Sequence, residues 1–246
     1  MTVTTTRTAF VAGATGYTGR ALIEELRGRG IRTVAHVRSD SSRREEWRTR
    51  FEAAGAVVDL TPWDEDALAA TLARIRPHAV FALLGTTRAR MRRSGGRDSY
   101  QSVDYGLTAM LLRAVRRSAP EARFLYLSSA GVGPSARGEY LRVRWRLEQE
   151  IRSSGIAWTI VRPAFITGDD RQESRPLERI AGSVIDGVLN LAGALGARTL
   201  QERYASMDAR TLARGLAYYG FEDSGAGRVL GAADIRGSGG LHTSSR

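Results

Sequence analysis

Six short apolar runs alternate with longer helical segments from the start of the chain to Arg162, and this alternation limits the fold more than any other feature. The runs are Thr8–Ala12, Thr33–Val37, Ala56–Leu60, Ala79–Leu84, Arg123–Ser128 and Ala157–Arg162. Between them lie a first helix with Leu22, Ile23 and Leu26 on one side and segments at Arg43–Ala54, Asp64–Ile75, Gln101–Ala119 and Gly138–Ser153. Trp47 and Phe51 stand at i,i+4 in the second helix, Asp64 is the expected N-cap of the third, and Pro120 ends the fourth. Strands separated by helices of this length are joined in parallel, and a parallel sheet buries both of its faces. The predicted fold is therefore α/β: three αβα layers around a doubly wound, mostly parallel sheet.

After Arg162 the rhythm changes. An unusually apolar helix is expected from Leu177 to Leu195, a shorter one capped by Ser206 or Asp208, and a last strand at "RVLGA". The tail "RGSGGLHTSSR", residues 236–246, lacks an apolar period and is expected to be disordered. One domain, 1–235, is expected, with a small C-terminal substrate-side region mainly in 163–227. The 42% hydrophobic content suffices for its core.

Composition bears on partners and compartment. The net charge of +11 raises nucleic acid as a partner, but the arginines are scattered. The densest run, Thr86–Arg97, has no interleaved aromatics, and every basic residue is arginine, so nucleic acid is not the expected partner. With zero cysteines, no eighteen-residue apolar run and no leader, the expectation is a cytoplasmic protein without a membrane partner. A small-molecule substrate is expected, and a homodimer or protein partner stays open. His36, His78 and His242 share no ligand spacing, so no metal is expected.

The first turn carries Gly13, Gly16 and Gly19 as G-x-x-G-x-x-G between strand and helix. Glycine there lets the backbone turn tightly and approach a pyrophosphate, while the helix N-terminus offers N–H groups to the anion. The second strand is followed by Arg38, with Arg43 and Arg44 opening the next helix, a pattern favouring the 2′-phosphate of NADP over NAD; Asp40 is the counter-candidate. Asp59 ends the third strand, as an adenine contact or as a turn former ahead of "TPWD".

Tyr140 and Arg144 stand four apart in "EYLRVRWRLEQE", within one arc with Val143, Leu147 and Ile151, and so face the protein. The plainer alternative to an active pair is a core tyrosine beside an Arg144–Glu148 i,i+4 pair.

Together these residues resemble the short-chain dehydrogenase/reductase superfamily, with its NAD(P)-binding Rossmann fold, in the atypical branch that holds the Tat-interacting-protein-like oxidoreductases. The resemblance is carried by "GATGYTGR", "LLGTTR" (Leu83–Arg88), "VDY" (Val103–Tyr105), "LSSAG" (Leu127–Gly131), "VRPAFI" (Val161–Ile166) and "DRQESRP" (Asp170–Pro176). It implies that Gly13, Thr15, Gly16, Tyr17 and Gly19 line the diphosphate, Arg38 the 2′-phosphate, Asp59 and Leu60 the adenine, and Leu84, Gly85 and Thr86 the adenosine side. Pro163, Ala164 and Ile166 would flank the nicotinamide. Ser128 or Ser129 would polarise a carbonyl and Tyr140 would supply the proton. Where the family has a lysine four residues after the tyrosine, this chain has Arg144. The implied activity is an NADP(H)-dependent oxidoreductase acting on a small carbonyl or enone; the alternative is a redox sensor that binds NADP(H) without turnover.

Overall fold

The structure is a computed structural model, which describes residues 6–86, 91, 95, 98–163, 166–167 and 207–238. In chain order the strands are β1 (Thr8–Ala12), β2 (Arg32–His36), β3 (Val57–Asp59), β4 (Ala79–Ala82), β5 (Arg123–Leu127), β6 (Trp158–Val161), β7 (Ile166–Thr167), β8 (Met207–Asp208) and β9 (Arg228–Leu230). The α-helices are α1 (Tyr17–Gly28), α2 (Arg44–Ala53), α3 (Glu65–Ile75), α4 (Thr108–Ser118), α5 (Glu139–Arg152), α6 (Ala209–Phe221) and α7 (Ala232–Gly237).

Seven strands form one sheet in the order β3-β2-β1-β4-β5-β6-β9, and every pairing in it is parallel. The expected doubly wound sheet is thus present, with the strand order reversing between β1 and β4. Alternation within β1 divides the core: Ala9 and Val11 face Leu22, Leu26 and Leu216, while Phe10 and Ala12 face Leu68, Leu111 and Leu147. Each of these leucines is completely buried, worth about 1.5–3 kcal/mol relative to exposure. A separate parallel pair joins β7 to β8.

Two helix starts follow the expected chemistry. Asp64 accepts the Ala67 N–H at 2.9 Å at the head of α3, and Asp208, one of two candidate caps, accepts the Thr211 N–H at 2.6 Å at the head of α6. The Thr211 N–H also holds the Asp208 carboxyl below its ordinary range.

Three details differ from expectation. The helix predicted over Gln101–Ala119 begins as a π-helix, Tyr100–Leu107, that runs into α4. Its start is held by a reciprocal cap in which Ser99 Oγ accepts the Ser102 N–H and Ser102 Oγ accepts the Ser99 N–H, each at 2.9 Å. The wider π turn brings Asp104 inside, where a buried partner compensates it, a tertiary gain that apolar periodicity does not encode. Second, α7 includes Arg236 and Gly237, which the sequence places in the tail, because Ile235 anchors this helix in the core. Third, the plainer alternative of an Arg144–Glu148 pair is not formed, since both side chains find partners on other elements. The expected helix Leu177–Leu195, the "DRQESRP" segment and most of the basic run lie outside the described residues.

Candidate active site

Because all seven strands of the large sheet run in parallel, the turn after β1 and the segments following β2, β4, β5 and β6 meet along one edge, the edge where doubly wound folds bind ligands at the point of strand-order reversal. The glycines of the first turn are there for space. Gly13 has φ +86°, and a Cβ on it would stand 2.6 Å from the Leu83 carbonyl oxygen; one on Gly19 would run into the Gly13 carbonyl oxygen. Gly16 caps α1 without a side chain, the first turn of α1 holds no acidic residue, and its N–H groups lack intrahelical acceptors. This cradle fits a diphosphate, the anion such a helix start favours. Thr15 and Tyr17 flank it, both half-buried.

On the side expected to contact adenosine, the segment after β4 passes over the β1 turn. Leu84 packs into the core beside α3 and α4, and Gly85 is exposed. Thr86 is buried; its N–H donates to Asp104 Oδ2 at 2.8 Å, while its hydroxyl has no partner among the described residues. That orphaned hydroxyl suits a ribose or phosphate oxygen. Arg38 is partly exposed and stands 3.5 Å from Asp40, so the two candidates for the 2′ position face each other. Arg43 is held by Glu46. Asp59 is buried and engages its own turn, accepting from Thr61 Oγ1 at 2.8 Å and the Thr61 N–H at 3.3 Å, which is the turn-forming role. Leu60 is half-buried against the other core cluster. Beside Asp59, burial lowers the pKa of His36, whose Nε2 lies 2.8 Å from the Thr61 carbonyl.

Tyr140 and Arg144 lie on α5 as predicted. Tyr140 is half-buried, its ring tilted against Tyr100 at 5.1 Å, with the Arg144 guanidinium over its face at 4.7 Å. Arg144 is buried and heavily engaged. Nη1 donates to the Leu127 carbonyl at 2.7 Å and to the Tyr126 hydroxyl at 3.1 Å; Nη2 donates to Asp104 Oδ1 at 2.7 Å. Burial opposes its charge, but Tyr126, Tyr140 and Asp104 outweigh that and raise its pKa above the ordinary arginine value. Tyr126 is pushed up by burial. Gly85 has its own reason here: a Cβ on it would press to 3.2 Å from Arg144 Nη2.

The two serines separate. Ser128 is buried and donates to Glu148 Oε1 at 2.6 Å; Glu148, fully buried, also receives Arg162 through Nε at 3.0 Å and Nη2 at 2.5 Å. Ser129 is half-buried, with its hydroxyl donating only to the adjacent Ala130 carbonyl at 3.2 Å among the described contacts. Pro163 is buried and its carbonyl accepts the Ala130 N–H at 3.0 Å, joining the serine turn to the exit of β6. Ala164 lies outside the described residues, and Ile166 enters only through its backbone pairing with Met207.

Tyr126 was not singled out from the sequence, Asp104 entered only as the middle of "VDY", and Glu148 only as the alternative local partner of Arg144. The available signal was physical: an arginine on the inward face of a helix needs an acceptor, and "VDY" supplies a carboxylate within an apolar helix. Among the described residues no cluster of His, Cys, Asp and Glu could hold a metal.

A doubly wound parallel sheet with a glycine-lined helix start at its reversal point defines a dinucleotide-binding Rossmann protein. The NAD(P)H-binding family model matches residues 13–186. The chain belongs to this NAD(P)H-binding family, in the atypical branch of the short-chain dehydrogenase/reductases, and at family level it is an oxidoreductase. The protein fmp52, mitochondrial, of Aspergillus fumigatus is 32% identical over 190 residues, covering 72% of this chain and 76% of that protein. The divinyl chlorophyllide a 8-vinyl-reductase of Zea mays is 34% identical over 170 residues, 63% of this chain but only 39% of the plant protein. Among solved structures, UDP-glucose 4-epimerase from Thermotoga maritima superposes with a TM-score of 0.61 at 19% identity, over 91% of this chain and 76% of the epimerase. Acetoin dehydrogenase from Enterobacter cloacae superposes at 0.62 with 15% identity, over 92% and 94%. At these identities the likeness concerns the fold. No helix among the described residues is long and apolar enough to cross a membrane.

Proposed function

We propose that the protein is an NADP(H)-dependent reductase of a small carbonyl or enone. The observation that carries this reading is the half-buried Tyr140 phenol, held between Tyr100 and Arg144, whose guanidinium also borders Gly85. NADPH supplies the hydride when bound. Gly13, Gly16 and Gly19 leave room for its diphosphate at the α1 N-terminus, and Arg38 meets the 2′-phosphate that distinguishes it from NADH. Ser129 donates a hydrogen bond to the carbonyl oxygen, and Tyr140 gives that oxygen its proton as negative charge develops, leaving an alcohol. Arg144 holds the phenol ring from its face.

A second reading has its own support. The charge of Arg144 is matched by Asp104 at 2.7 Å, and an arginine stands where the family presents a lysine; this favours a sensor that binds NADP(H) without turnover. The reductase reading is tested by NADPH oxidation over a panel of aldehydes, ketones, quinones and enones, run beside Tyr140→Phe. Turnover that disappears in the variant supports the reductase; tight NADPH binding without turnover on any substrate sinks it and leaves the sensor. The proposal keeps a cytoplasmic location, whereas the Aspergillus relative's name places that protein in mitochondria. Cell fractionation against a mitochondrial marker decides between them.

A further inference from the structure

We infer that Asp104 is a positioning residue that ties the cofactor-side turn Gly85–Thr86 to Arg144 and, through Arg144, to the Tyr140 ring. The inference rests on the reductase reading above. Asp104 is only 1% exposed, and its two oxygens serve two elements: Oδ2 accepts the Thr86 N–H at 2.8 Å and Oδ1 accepts from Arg144 Nη2 at 2.7 Å. A buried carboxylate placed this way cannot be spared without stranding a buried cation. The geometry around it is built for the bridge. Gly85 leaves the space that Arg144 Nη2 fills, and the π-helix Tyr100–Leu107 carries both Asp104 and Tyr100, the ring packed against Tyr140. One rigid segment therefore holds the phenol through its ring, through its cation, and relative to the turn expected to contact adenosine.

The test compares wild type with Asp104→Asn and Asp104→Glu in NADPH titrations followed by fluorescence and in steady-state kcat for carbonyl reduction. An Asn oxygen can accept from Thr86 or from Arg144, with its amide turned toward the other donor. For Asp104→Asn we expect an NADPH Kd raised about fivefold and kcat lowered about tenfold or more. Asp104→Glu keeps the charge but is one methylene longer. It is expected to lower kcat about tenfold or more. A lower Tm with Kd and kcat equal to wild type would reduce Asp104 to a structural counter-ion and overturn the inference. Should Asp104→Asn fail to fold, Asp104→Glu decides: wild-type kcat and Kd in that variant overturn it. Should the wild type bind NADPH yet reduce nothing, the reductase reading fails separately, and the Kd alone judges the bridge, an unchanged Kd in both variants overturning it.

Discussion

The Ser128 hydroxyl donates to Glu148 at 2.6 Å, and Glu148 is clamped in turn by both donor faces of Arg162. This relationship engages one of two adjacent serines in the core and joins α5 to the exit of β6. The sequence left Ser128 and Ser129 equivalent; the buried carboxylate separates them.

Ser129→Ala is therefore expected to lower kcat/KM by about a hundredfold, the usual loss of one oxyanion donor, with little change in Tm. Ser128→Ala should do the reverse, costing about 1–2 kcal/mol of stability through the lost bond to Glu148 while retaining most activity. Steady-state kinetics and thermal melts of the two variants check both halves. An equal kinetic loss in each would contradict the division.

Tyr140→Phe keeps the ring against Tyr100 and under Arg144 and removes only the hydroxyl. The expected outcome is a fall in kcat of about 10²–10⁴-fold with NADPH affinity and Tm unchanged. A parallel rise in NADPH Kd would show instead that the hydroxyl is used in cofactor binding.

Arg144→Met removes the cation paired with the buried Asp104 carboxylate and the donors to Tyr126 and the Leu127 carbonyl; about 3–5 kcal/mol of stability should be lost. Arg144→Lys keeps a cation opposite Asp104 but lacks the planar fork that reaches three acceptors at once, so a smaller loss is expected. Urea unfolding of both variants ranks them, and equal midpoints would refute the role assigned to the ion pair.

His36 supplies a pH dependence of stability. Burial lowers its pKa in the folded chain, so below the unfolded value of about 6.5 the unfolded state binds more protons. Stability contributed by the neutral ring is complete above that pH and is lost as pH falls toward the lowered folded value. Melts at pH 7.5 and 5.5 should show a drop in Tm that His36→Gln diminishes. An identical drop in the variant would place the acid sensitivity elsewhere.

Arg38→Ala should weaken NADPH binding about tenfold or more and leave NADH almost unaffected, because only NADPH presents the charged 2′-phosphate. Fluorescence titrations with both cofactors check this. Equal losses for the two would point to Asp40, 3.5 Å from Arg38, as part of a shared ribose contact.

The sequence alone determined the parallel sheet, the helix cap at Asp64 and the glycine turn, and narrowed the later cap to Ser206 or Asp208, because each depends on local chemistry or on a periodicity that burial enforces. It also placed Tyr140 and Arg144 on one inward face, which follows from helical spacing alone. The partners of buried polar groups were decided elsewhere. Glu148, four residues from Arg144, was its natural local partner, yet Arg162 took Glu148 and Asp104, 40 residues away, took Arg144. A buried charge seeks whichever complementary group the packed fold brings within about 3 Å, and sequence distance does not enter that choice. The π-helix follows from the same cause: its wider turns are a modest local cost that a buried ion pair offsets, and only the assembled core holds both halves of the exchange.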